Sequence, residues 1–159
     1  MAKTISIHIE EILNPLSVEH LTQVRSICQD FEYFDTYIQY FSDPYYRIFG
    51  AINDQQIIGI FVLARHSFWM YGTFFWVDHS YRNRGVGSAI LKWVDEYVEK
   101  SGARALCGDT LSSDSGAQRL YEWFGASKFG EYINFFGDGK ETMYMFRKLY
   151  PTKLESHPR

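Results

Sequence analysis

One stretch constrains the fold more than any other: Phe74-Phe75-Trp76-Val77-Asp78-His79-Ser80-Tyr81-Arg82-Asn83-Arg84-Gly85-Val86-Gly87-Ser88-Ala89-Ile90-Leu91. Apolar Phe74 to Val77 runs into a polar, basic turn, and Gly85 and Gly87 open a segment of helical period. The pattern predicts a buried strand, a short turn and the start of an amphipathic helix. The first amides of a helix have no intrahelical acceptor and lie at the positive end of its dipole, which suits phosphate oxygens. Gly85 and Gly87 let a ligand approach the backbone closely, and Arg82 and Arg84 add fixed positive charge. A lone Gly-x-Gly with surface arginines is equally the mark of an ordinary strand-to-helix turn.

A chain of 159 residues fits one domain, expected over 1–149 with a polar, loose tail over 150–159. The net charge of −3 gives no global basic field, so nucleic acid is not expected as a partner. Only Cys28 and Cys107 occur, far apart and without a histidine pair nearby. Neither zinc nor a disulfide framework is expected, and buried free thiols are. No apolar run has signal-peptide or membrane-spanning character, so no membrane partner and a cytoplasmic location are expected.

Taken in order, alternation over Ile5 to Ile9 predicts a half-buried strand, with His8 on its polar side. After Asn14-Pro15, Ser17 is placed to cap a helix running to about Asp30, with Leu21, Val24, Ile27 and Cys28 as its buried stripe. Aromatics at helical spacing over Phe31 to Phe41 predict a second helix, ending near Asp43-Pro44. Between Arg25 and Arg47 there is no lysine or arginine, while Asp30, Glu32, Asp35 and Asp43 are acidic. Tyrosines beside carboxylates suit a cationic amine, so Tyr33, Phe34 and Tyr37 are candidate acceptor-binding residues, with core packing as the alternative.

Two strands, about Tyr46 to Ile52 and Gln56 to Ala64, are expected to join at Asn53-Asp54-Gln55. The second is continuously apolar from Ile57 to Leu63, as a strand buried on both faces is. The central strand is expected from Tyr71 to Asp78, and the helix after it from Gly85 to Lys100, stopped at Ser101-Gly102. A strand from Ala105 to Thr110 precedes a helix capped by Ser113 or Asp114 and ended by Gly125. Two last strands, Lys128 to Phe136 and Glu141 to Lys148, flank a turn at Gly137-Asp138-Gly139.

Arg82-Asn83-Arg84-Gly85-Val86-Gly87 matches the Arg/Gln-x-x-Gly-x-Gly/Ala signature, and the chain resembles the GCN5-related N-acetyltransferases (GNAT). A Walker P-loop is excluded because Ser88-Ala89 replaces its Lys-Ser/Thr pair, and a Rossmann fingerprint because position 90 is Ile90. Asp114-Ser115-Gly116-Ala117-Gln118-Arg119-Leu120-Tyr121-Glu122-Trp123-Phe124-Gly125-Ala126 is similar to the family's Asn-x-x-Ala-x-x-Leu/Phe-Tyr-x-x-x-Gly-Phe segment. It departs at Asp114, where Asn is usual, and at Ala126, where Phe is usual.

The resemblance implies an α/β (α+β) fold: a mixed, mostly antiparallel seven-stranded sheet with about four helices, in the order β-α-α-β-β-β-α-β-α-β-β. It implies acetyl-CoA as co-substrate and no metal. Arg82, Asn83, Arg84, Gly85, Val86, Gly87 and Ser88 would hold the pyrophosphate, and the main chain at Phe75 and Val77 the pantetheine and carbonyl. Asp114 would contact the pantetheine arm, and Tyr121 would protonate the departing sulfur. The expected reaction is direct attack of a primary amine of a small, cationic molecule on the thioester. A protein lysine or N-terminus as acceptor, or acetyl-CoA sensing without turnover, are the alternatives. The base stays open among His66, Asp78, His79 and Asp109, and monomer and homodimer are both compatible with the sequence.

Overall fold

The computed structural model describes residues 5–151. Its strands are β1 (His8–Ile12), β2 (Arg47–Asn53), β3 (Gln56–His66), β4 (Trp69–Val77), β5 (Ala105–Leu111), β6 (Ser127–Tyr132) and β7 (Met143–Leu149). Its helices are α1 (Val18–Ile27), α2 (Phe34–Tyr37), α3 (Val86–Ser101) and α4 (Ser115–Trp123). The strands form one seven-stranded sheet in the order β1-β2-β3-β4-β5-β7-β6. Its β4–β5 pair is parallel, whereas β1–β2, β2–β3, β5–β7 and β6–β7 are antiparallel. This is the expected fold and element order. Among the described residues no helix is long and apolar enough to cross a membrane.

The described chain falls into two compact units, 5–64 with Thr73–Val94, and Arg65–Gly72 with 95–151. In the first, Ile57 to Ala64 of β3 are all buried, as a continuously apolar strand requires. The turn before β3 holds Asp54 and Gln55 at positive φ, 47° and 66°, matching the right-handed strand twist. Gly59 lets α3 settle on β3, because a Cβ there would stand 2.8 Å from Ile90 Cδ1 and 3.3 Å from Val86 Cγ1. Ser17 caps α1 by accepting the His20 amide at 3.1 Å.

In the second unit the β4–β5 register runs from Trp69↔Ala105 to Gly72↔Gly108, while β5 continues to Leu111. Lys148 on β7 reaches both carboxylate oxygens of Asp95 on α3 (2.9 and 3.1 Å) and lies 4.3 Å from the Phe124 ring that follows α4. Lys148 thus marks the helix-bearing face of this unit. Tyr150, at the expected start of the tail, donates to Asp95 at 2.6 Å, and its amide donates to Arg104 O. The rest of that expected tail, from residue 152, lies outside the described residues.

Several boundaries differ from the sequence reading, among them the end of α1, at Ile27 rather than about Asp30. The first strand is His8–Ile12, three residues later than Ile5 to Ile9, because β2 ends at Asn53 and its register supplies partners only from His8↔Ile52 to Ile12↔Ile48. The expected second helix is instead the α-turn α2 and a 3₁₀ turn over Ile38–Phe41. Its bulky residues lose rotamer freedom in a helix, and Phe34, Tyr37 and Phe41 all turn onto Phe74, at 6.2, 5.3 and 5.7 Å. The last hairpin is not closed tightly at Gly137-Asp138-Gly139. The strands stop at Tyr132 and resume at Met143, and Asn134, Gly137 and Gly139 take positive φ in the loop between them.

Candidate active site

In the first unit the basic turn is built outward from Trp76. Its indole donates to Ile27 O at 2.8 Å, tying the end of β4 to the end of α1. Arg82 lies over that ring at 4.7 Å and donates from Nε to Val77 O at 3.0 Å. Asp78 accepts from the Ser80 amide at 3.0 Å and caps a 3₁₀ turn over His79–Tyr81, and Arg84 lies 5.4 Å over Tyr81. Asn83 and Gly85 take positive φ, 58° and 83°, which turns the chain into α3. Ala89 to Gly85 O is the first helical hydrogen bond given by the turn (3.0 Å), so the amides of Val86, Gly87 and Ser88 precede it.

These features fit a phosphate group. Arg82, Asn83, Arg84 and Gly85 are exposed, and a Cβ on Gly85 would meet nothing within 4 Å. Val86 is buried with Ile90 against β3, which fixes the helix start. Phe75 packs on Phe61 at 5.4 Å, and the Val77 carbonyl accepts from Arg82.

Of the aromatic candidates, Phe34 and Tyr37 are buried in the cluster on Phe74, and Tyr33 is half-buried against Phe31 at 5.8 Å. Asp30, Glu32, Asp35 and Asp43 all face solvent, with Asp35 3.5 Å from Arg25.

The second unit carries the other candidates. Asp114 caps α4, its Oδ1 accepting the Ala117 amide at 2.9 Å. Gln118 reinforces this corner by donating to Leu111 O and Ser112 O at 3.2 and 3.0 Å. Tyr121 is buried against Phe146, and its hydroxyl donates to the Asp109 carbonyl at 3.4 Å. Burial first, then the charges of Asp109 and Asp114, hold its phenol well above the usual tyrosine range.

Asp109 follows Gly108, the last β5 residue paired with β4. Tyr71 donates to its Oδ2 at 3.0 Å. Burial pushes this carboxyl up to about 6, and the Tyr71 hydrogen bond restrains the rise. Sequence reasoning did not find Tyr71. Parallel pairing sets it opposite Cys107, on the face shared with Asp109, and no local pattern reports such a register.

Among the other base candidates, Asp78 serves as a cap, and His66 and His79 are exposed. Cys28 and Cys107 are free thiols, 1% and 3% exposed, and burial raises both, Cys28 to about 12. No group of three or more metal-ligating side chains occurs among the described residues.

The comparisons bear on the fold and the family. No curated protein matches the chain by sequence. The ribosomal-protein-S18-alanine N-acetyltransferase of Escherichia coli has a similar structure, with TM-score 0.80 and 19% identity over 97% of this chain and all of that one. So has NAA60 of Arabidopsis thaliana, solved with a bisubstrate analogue, with TM-score 0.75 and 17% identity over 92% and 100%. A GNAT family acetyltransferase of Elizabethkingia anophelis, solved with acetyl-CoA bound, gives TM-score 0.68 and 22% identity over 93% and 99%. The model of the acetyltransferase (GNAT) family matches residues 12–126, most of the described chain, and the protein therefore belongs to that family.

Proposed function

We propose that this acetyl-CoA-dependent acetyltransferase acts on a primary amine of a small, cationic molecule, by direct attack of the amine on the thioester. The single observation that carries the choice of acceptor is the exposed acidic run Asp30, Glu32, Asp35 and Asp43, without a lysine or arginine between Arg25 and Arg47. Such a run draws cations and repels anionic acceptors. Direct attack, rather than an acyl-cysteine, follows from two thiols that are buried and held protonated.

Acetyl-CoA supplies the activated acetyl group. The amides of Val86, Gly87 and Ser88, with Arg84, hold its pyrophosphate at the start of α3. Arg82 serves by locking the turn onto Trp76 and Val77, and Asn83 and Gly85 by setting the bend. The main chain at Phe75 and Val77 orients the pantetheine and the carbonyl. Asp114 holds α4, and with it Tyr121, through its cap. A phenol raised this far stays protonated throughout the working pH range, so Tyr121 donates a hydrogen bond to sulfur as the C–S bond breaks.

An N-terminal amine of a protein is the second reading. It is supported by the structural similarity to the Escherichia coli enzyme, whose name gives a ribosomal-protein alanine as acceptor. Free thiol release from acetyl-CoA, measured over polyamines, aminoglycosides, amino acids and peptides, separates the two. Turnover confined to small basic amines supports the first reading, and turnover confined to peptides overturns it.

A further inference from the structure

Asp109 is a half-buried carboxylate, and no lysine, arginine or histidine among the described residues forms an ion pair with it. Its backbone accepts from Tyr121, but its side chain belongs to the opposite face of β5. Phe146, opposite Gly108 in the register, packs on Tyr121, whereas Asp109 lies opposite Met145 and bonds to Tyr71. The two side chains thus flank one point of β5, just beyond its last ladder pair with β4. Oδ1 has no hydrogen-bond partner among the described residues and is not sealed from solvent, so it is open to an incoming proton donor.

We propose that Asp109 is the base that takes the proton from the acceptor ammonium, and that Tyr71 is the positioning residue that holds its carboxylate. The inference rests on the acetyl-transfer reading. An ammonium gives one proton to Oδ1, and the neutral amine forms the new C–N bond. As the C–S bond breaks, the Tyr121 hydroxyl hydrogen-bonds the departing sulfur, which takes up the proton that the new amide nitrogen loses. Asp109 then releases its proton to solvent, so one proton is liberated per turnover.

The titratable group bonded to the Asp109 carboxylate is Tyr71 from β4; Tyr121 from α4 bonds to its backbone carbonyl from the other face of β5 and feels its charge, and Met145, opposite it on β7, is neutral. A carboxylate base with its pKa near 6 is ionised above that pH. The kcat/KM for a basic amine therefore rises as pH passes through about 6 and then levels off.

The test is this pH profile, with spermidine or the fastest amine of the panel, for the wild type, Asp109→Asn, Asp109→Glu and Tyr71→Phe. Calorimetric binding of acetyl-CoA serves as the folding control. Asp109→Asn should lose ~10²-fold or more in kcat. Its profile should instead track free amine, climbing toward the alkylamine pKa of ~10.4. Asp109→Glu should restore part of the rate and the acid limb. Tyr71→Phe removes a hydrogen bond to the ionised form, so its limb should move to higher pH. That readout stays available if Asp109→Asn does not fold. Wild-type turnover with limbs unmoved in Asp109→Asn and Tyr71→Phe overturns the proposal alone. No thiol release by the wild type with any amine or peptide overturns the acetyl-transfer reading and the proposal with it.

Discussion

Two side chains in the second unit carry opposite protonation states for reasons visible in their surroundings. Tyr121 is buried with carboxylates nearby, so it keeps its proton. The higher its pKa, the less driving force it has for complete transfer, and the more it acts by hydrogen bonding to developing thiolate charge. Tyr121→Phe is expected to lower kcat by ~10²-fold while leaving KM for acetyl-CoA within a few-fold. Steady-state kinetics at saturating amine checks this, and an unchanged kcat removes Tyr121 from the reaction. Asp109 bears a stability cost. Its pKa rises from 3.8 to about 6 on folding, so the folded state binds the proton more tightly than the unfolded chain. The ionised form is therefore disfavoured above pH 6, by up to about 3 kcal/mol. Asparagine keeps an acceptor for Tyr71 without the charge. Thermal melts of Asp109→Asn and wild type should match near pH 4, and the variant should gain several degrees by about pH 8. A constant gap across that range would contradict this account of the shift.

At the scale of elements, the strand, turn and helix from Phe74 to Leu91 were legible because each of their signals is local. The apolar run, the left-handed Gly85 and the period of α3 all appear in consecutive residues. The cap of α4 was legible too, although the structure chooses Asp114 over Ser113 and gives its carboxylate a backbone amide to hold. Asp114→Ala should cost about 1 kcal/mol of stability, and Asp114→Asn much less, since an amide oxygen caps as well. Chemical denaturation of the three proteins measures both, and equal losses for Ala and Asn would refute the cap as the main role. The start of β1 was not legible, because it is set by where β2 ends. The split of the aromatic segment depends on Phe74, distant in sequence, onto which Phe34, Tyr37 and Phe41 converge. The Tyr71–Asp109 contact depends on a parallel register that no hydrophobic period encodes.

For the whole molecule, the modest net charge of −3 conceals an uneven distribution. Arg82 and Arg84 are exposed at the turn expected to take a phosphate, while Asp30, Glu32, Asp35 and Asp43 are exposed in a stretch free of basic residues. A chain that pairs an anionic co-substrate with a cationic acceptor benefits from both, because long-range attraction raises the local concentration of each. The most direct measurement is a competition in one tube: acetyl-CoA, spermidine and a peptide with a free N-terminal alanine, with the acetylated products identified by mass spectrometry. The account predicts acetyl on spermidine, with the peptide largely unmodified. Acetyl found on the peptide alone would contradict it and make a protein N-terminus the acceptor.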